Sequence, residues 1–222
     1  MVPIYDETRH RNGEFPYAVV GLIAANFVVF FLELTNGPEW ALQYALIPND
    51  IVHGVALWTI LTSMFLHAGW LHIIGNMIYL WVFGDELNAY YMGSWRFLIF
   101  YFMCGIAATA LQVGIDPTSN VPNLGASGAI AGVLGGFLII FPHDEILTFF
   151  LVPIPIPVRI SAAILVGFWF VFQLLSGLLS LGGTTDQGGV AYFAHVGGFL
   201  AGLALVRLFA EPRPRGYSGG AA

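Results

Sequence analysis

The chain has 222 residues, 58% of them hydrophobic and only 9% charged, with a formal net charge of −6. A soluble domain of this length carries about 25% charged residues, so the composition excludes an ordinary soluble globular protein. Neither a cofactor nor a nucleic acid is expected as a partner; the expected partners are the lipid bilayer and other membrane proteins.

In chain order, residues 1–15 read as a polar, mobile tail on the cytoplasmic side. Six apolar runs follow, at about 16–34, 70–90, 95–113, 125–142, 158–180 and 190–209. Each bilayer span needs about 20 apolar residues, and the runs are continuous rather than alternating as in a transmembrane barrel. The predicted fold is an all-α membrane bundle of six transmembrane helices over 16–210, and residues 211–222 read as a disordered tail. The first run reads as a signal anchor that stays in place. All seven basic residues are arginines: Arg9, Arg11, Arg96, Arg159, Arg207, Arg213 and Arg215. Six spans put every one of them on one side, which predicts that both termini are cytoplasmic.

Segment 35–69 is too long for a tight turn and too apolar for a solvated loop. Trp40, Tyr44 and Trp58 suit an interfacial position, so short helices embedded at the membrane are expected here. Loop 114–124 contains two prolines and leads into a short fourth run. That run opens with Gly125-Ala126-Ser127-Gly128, placing Ser127 at a helix N-terminus, where free N–H groups favour negative charge. Loop 181–189 carries four glycines and suits either a mobile cap or a simple connector. Cys104, the lone cysteine, reads as a packing residue within the third run.

Polar groups inside membrane segments are costly and usually functional. Ser127 needs a base to become a nucleophile, and His195 in the sixth run is the candidate. Contact between them requires the fourth and sixth helices to be neighbours. Each helix has a G-x-x-x-G pair, Gly128/Gly132 and Gly198/Gly202, which favours close approach in lipid. These glycines are also compatible with packing alone. In the second run, His72 and Asn76 are four apart and share a helix face. Both can donate to an oxyanion. His67 lies just before them and is expected to support the loop. A metal site is not expected: His67 and His72 would splay by about 140° on a helix, and no acid or thiol is placed to join them. A channel or transporter fits buried polar groups, but the chain has no evident inverted repeat and no carboxylate deep within a run.

H-x-x-x-x-H-x-x-x-N in the second run, G-x-S-G opening the fourth and A-H-x-x-G-x-x-x-G in the sixth resemble the rhomboid family of intramembrane serine proteases. The resemblance spans roughly 16–210. It implies Ser127 as nucleophile and His195 as general base, a dyad without a third acid. It also implies oxyanion contacts from Asn76, His72 and the Ser127 N–H, with Gly125 in the oxyanion and substrate-binding set. Gly84 and Glu86 match a structural G-x-E element. The implied function is cleavage of the transmembrane segments of other proteins; the alternative is a pseudoprotease that binds such segments without cutting them. The compact six-span form resembles bacterial members, which leads to an expected bacterial inner membrane. Two positions depart from the pattern. Thr59 stands where many members have arginine after Trp58, and Ala131 stands where many have an aromatic residue against the histidine ring. Phe168, Trp169, Phe170 and Phe172 of the fifth run suit either a side gate or a lipid-facing surface.

Overall fold

The structure is a computed structural model and describes residues 2–6, 15–150, 156–181 and 191–210. It is mainly helical. The helices are α1 (Tyr17–Asn36), α2 (Pro38–Leu42), α3 (Pro48–Val52), α4 (Thr59–Thr62), α5 (Trp70–Glu86), α6 (Ser94–Ile115), α7 (Ser127–Ile140), α8 (Ala162–Ser180) and α9 (Tyr192–Leu205). A π-helical turn, Leu87–Met92, extends α5, and a 3-10 turn, Val206–Phe209, extends α9. Each apolar run contains one long helix. The chain between α1 and α5 is built from short helices, which satisfy their own backbone groups locally.

α7 is the centre of the bundle. All of Gly128–Phe137 is buried, with α9, α6, α5 and α8 packed around it and α1 outside α5 and α6. α7 ends at Phe141, because the residue before a proline is disfavoured in the helical region. Its 14 residues rise only about 21 Å, short of a hydrocarbon core of about 30 Å. Among the described residues, Tyr17–Asn36, Ser94–Ile115, Ala162–Ser180 and Tyr192–Phe209 are long and apolar enough to cross a membrane. Thr59–Phe65 with Trp70–Met92, bent by 95°, makes a fifth if the pair is one span. The six runs therefore yield four to five helices of spanning length.

The all-α expectation missed a small antiparallel sheet with strand order β1-β2-β3, formed by Val2–Asp6, Glu145–Phe150 and Ile156–Ser161. Residues 2–6, read above as tail, thus pair with the chain after α7. The fifth run begins as a strand rather than a helix. Pro157 explains this: proline obstructs a helix and within a sheet is confined to edges. Pro157 lies on one edge strand and Pro3 on the other, beside a register shift between Pro3 and Tyr5. The central strand β2 contains none.

Two buried polar side chains join elements distant in sequence. Asn88 Oδ1 accepts the Ala18 and Val19 N–H groups at 3.1 and 3.3 Å, capping α1 from the α5 extension. Glu33, near the other end of α1, accepts the His67 N–H at 3.0 Å and so holds the entry to α5.

Candidate active site

Ser127 is the first residue of α7. The first bond of that helix runs from the Ile130 N–H to the Ala126 carbonyl at 3.0 Å. The N–H groups of Ser127, Gly128 and Ala129 therefore precede the helical ladder. The chain before Ser127 is stitched to the first loop. Leu46 and Asn123 exchange backbone bonds of 3.0 and 2.7 Å, the Asn49 N–H donates to Ser119 O at 3.0 Å, and the Gly125 N–H donates to Ser63 O at 2.9 Å. These bonds fix the height and direction of the serine.

α9 brings His195 to it. Substitution of the glycines would block this approach: a Cβ on Gly198 would overlap the Gly128 carbonyl oxygen, and one on Gly202 the Gly132 carbonyl oxygen. The two G-x-x-x-G pairs thus lie against each other. His195 Nε2 is 2.7 Å from Ser127 Oγ. Its other ring nitrogen, Nδ1, is 2.8 Å from Gln173 Oε1 on α8. Trp169, one turn earlier on α8, lies against the imidazole with ring centroids 5.8 Å apart.

His72 and Asn76 of α5 face the pair across a cavity of ≈ 250 Å³ that Ser127, His195, Trp169 and Tyr79 also line. The Ala68 N–H donates to His72 Nδ1 at 3.3 Å. The neutral ring then carries its hydrogen on Nε2. Nε2 is the atom nearest Gly125, 2.9 Å from where a Cβ there would sit. Asn76 is buried, and its amide nitrogen has no hydrogen-bond partner among the described residues. His67 stays with the loop, its Nδ1 3.2 Å from Phe65 O.

Gly125 lies beside His72, and its N–H donates to Ser63 O. Its φ of +125° and its missing side chain are what the site uses, since a Cβ would collide with His72. The two departures from the family pattern also have structural answers. Among the described residues the Thr59 hydroxyl bonds within its own loop, to Ala56 O at 2.8 Å, and the strand-like bridge to Asn123 together with Glu33 anchors the loop. At Ala131, which is fully buried, no aromatic ring is supplied by α7; Trp169 from α8 supplies one instead. The aromatic residues of α8 therefore divide: Trp169 lines the cavity, Phe170 stacks on Phe199 at 4.3 Å, and Phe168 and Phe172 are exposed on the outer face.

Gln173 was missed in the sequence. It is the one amide in the fifth run, four residues after Trp169, and that spacing puts both on one helix face. Loop 182–190, including nearly all of the possible cap, and the tail 211–222 lie outside the described residues.

A second, smaller cavity of ≈ 50 Å³ lies behind the serine, with Ser63, Gln112, Asn123 and Ser127 in its wall. Gln112 Oε1 also accepts the Ala194 N–H at 3.2 Å, tying α6 to the start of α9.

The Rhomboid domain model matches residues 55–212, which includes every residue of this constellation. The chain is 30% identical over 203 residues to "Rhomboid protein 1, mitochondrial" of Saccharomyces cerevisiae, covering 90% of this chain and 54% of that protein. It is 30% identical over 199 residues to "Rhomboid protease GluP" of Bacillus subtilis, covering 88% of this chain and 36% of that protein. "RHOMBOID-like protein 12, mitochondrial" of Arabidopsis thaliana is 27% identical over 191 residues, covering 79% and 56%. The chain thus spans about half or less of the length of these curated relatives. The mitochondrial relatives overturn the expectation of a bacterial inner membrane. A compact helical bundle is suited to a bilayer, but it does not distinguish one bilayer from another. On the family-model match and these identities, the chain belongs to the rhomboid family.

Proposed function

We propose that this chain is an intramembrane serine endopeptidase that cuts transmembrane segments of other membrane proteins, with Ser127 as nucleophile and His195 as general base. The observation that carries the reading is the 2.7 Å approach of His195 Nε2 to Ser127 Oγ. A serine hydroxyl at that distance from an imidazole nitrogen has a base in reach. The six helices of the runs form the bundle, with α7 as a short sixth span that begins below the membrane surface. The names of the yeast and Arabidopsis relatives point to a mitochondrial membrane rather than a bacterial one.

The chemistry follows from the side chains. The Ser127 proton moves to His195 Nε2 as Oγ bonds the scissile carbonyl carbon, and the carbonyl electron pair moves onto oxygen. The Asn76 amide, His72 Nε2–H and the Ser127 N–H are the donors for that oxyanion. Collapse breaks the C–N bond, and the imidazolium gives its proton to the leaving amine. Water then attacks the acyl ester with His195 again as base. The cavity behind Ser127 has volume for a water and polar walls from Ser63, Gln112 and Asn123. The larger cavity between α5 and α8 suits an unwound stretch of substrate. Unwinding is required because a peptide bond within a helix is shielded by its neighbours.

Labelling with a fluorophosphonate probe tests the reading, with purified wild type, Ser127→Ala and His195→Ala compared in detergent. Wild type should label and both variants should not. Wild type should also cut a model transmembrane substrate in liposomes. A wild-type protein as inert as Ser127→Ala in both assays makes the chain a client-binding pseudoprotease instead.

A further inference from the structure

His195 is held on two sides by α8, and the two contacts differ in kind. Trp169 lies beside the ring, tilted by 41° with centroids 5.8 Å apart. Gln173, 7% exposed, meets its edge with Oε1 2.8 Å from Nδ1. An amide buried in an apolar helix needs a partner to offset its lost hydration, and among the described residues the imidazole is the one it has. An amide oxygen accepts only, so Nδ1 must carry the hydrogen and Nε2 must be the free acceptor facing Ser127. His72 has the opposite arrangement: a backbone N–H on Nδ1 leaves the hydrogen on Nε2. One bond therefore sets one ring as a base, and another sets the second ring as a donor.

We propose that Gln173 is a positioning residue that holds His195 in the Nδ1–H form and steadies its ring as Nε2 takes the serine proton. This rests on the proposed serine peptidase activity. It replaces an unsupported dyad with a triad whose third member is neutral. The bond should strengthen when the ring becomes cationic, so it favours the transition state over the resting state. A neutral amide also suits the location, since a carboxylate there would bear a large desolvation cost. Among the described residues, Ser127 of α7, Trp169 and Gln173 of α8 and, across the cavity, His72 and Tyr79 of α5 face the imidazole; none of these is a carboxylate.

The test compares wild type, Gln173→Met and Gln173→Glu in liposomes, measuring kcat, KM, a pH profile and fluorophosphonate labelling, with thermal unfolding of each. Gln173→Met keeps the volume and removes the acceptor. Its kcat should fall about 10- to 100-fold with KM within about twofold. Gln173→Glu restores an acceptor but adds negative charge, which favours the imidazolium. Its activity should exceed that of Gln173→Met at high pH, and the acid limb of its profile should move to higher pH. A Met variant with wild-type kcat overturns the inference. So does a Met variant whose loss of kcat matches its loss of thermal stability while the Glu profile coincides with wild type. Either result with active wild type leaves the peptidase reading intact. Wild type inert to both substrate and probe overturns that reading and this inference together.

Discussion

The α7–α9 interface and the α5–α8 side of the bundle both meet Ser127 and are built differently. Between α7 and α9, glycines bring backbone against backbone, with no space for a single added carbon at Gly198 or Gly202. Between α5 and α8 lies the ≈ 250 Å³ cavity. The tight side sets the Ser127–His195 distance, which tolerates little error. The open side carries His72, Asn76, Trp169 and Gln173, and leaves volume for something to enter. In this bundle close packing and access are assigned to different helix pairs, so neither must be sacrificed for the other.

Substitutions on the two sides should therefore fail differently. The largest effect is expected at Asn76. Asn76→Ala should lower kcat by about 100- to 1000-fold while thermal unfolding in detergent stays near wild type. A large loss of stability there would mean that the open side is also a packing interface. Gly198→Ala should do the reverse. It forces α9 away from the Gly128 carbonyl and should cost about 2 kcal/mol or more, with activity lost through the displaced dyad. A stable, active Gly198→Ala would break the contrast altogether.

A smaller effect is expected at the edge of the site. Glu33→Ala removes the acceptor of the buried His67 N–H and should destabilise by about 1–3 kcal/mol. Glu33→Gln, which keeps an acceptor oxygen, should recover most of that in the same unfolding assay. Smallest of all is Gly167→Ala on α8, where an added Cβ meets nothing within 4 Å. Stability should be unchanged or raised by up to about 1 kcal/mol, because alanine favours helix over glycine. Gly167 and Gly198 thus form a matched pair, one substitution tested on either side of the bundle.

Much of the candidate site is legible in the sequence. Ser127, His195, His72 and Asn76 are polar residues in apolar runs, and polarity in the wrong solvent is visible at once. The glycine pairs were equally visible, because their spacing matches the helix repeat. Gly125 was visible as part of the motif, but the bond from its N–H to Ser63 was not, since it depends on a loop some 60 residues earlier. Trp169 and Gln173 were hidden by their setting. A tryptophan among phenylalanines looks like a lipid-facing residue, and a single glutamine can face any direction. The sheet was hidden too, because residues 2–6 gain a partner only when the chain after α7 returns to them.

The sequence by itself determined the apolar character, the helices and the candidate polar groups, because hydropathy, the helix repeat and side-chain chemistry are local properties. Only the tertiary structure decided how those groups are oriented. Which ring nitrogen of His195 faces the serine, which aromatic lies beside it, and which N–H groups remain free all depend on partners brought from distant segments, and hydrogen bonds carry direction that a sequence pattern does not.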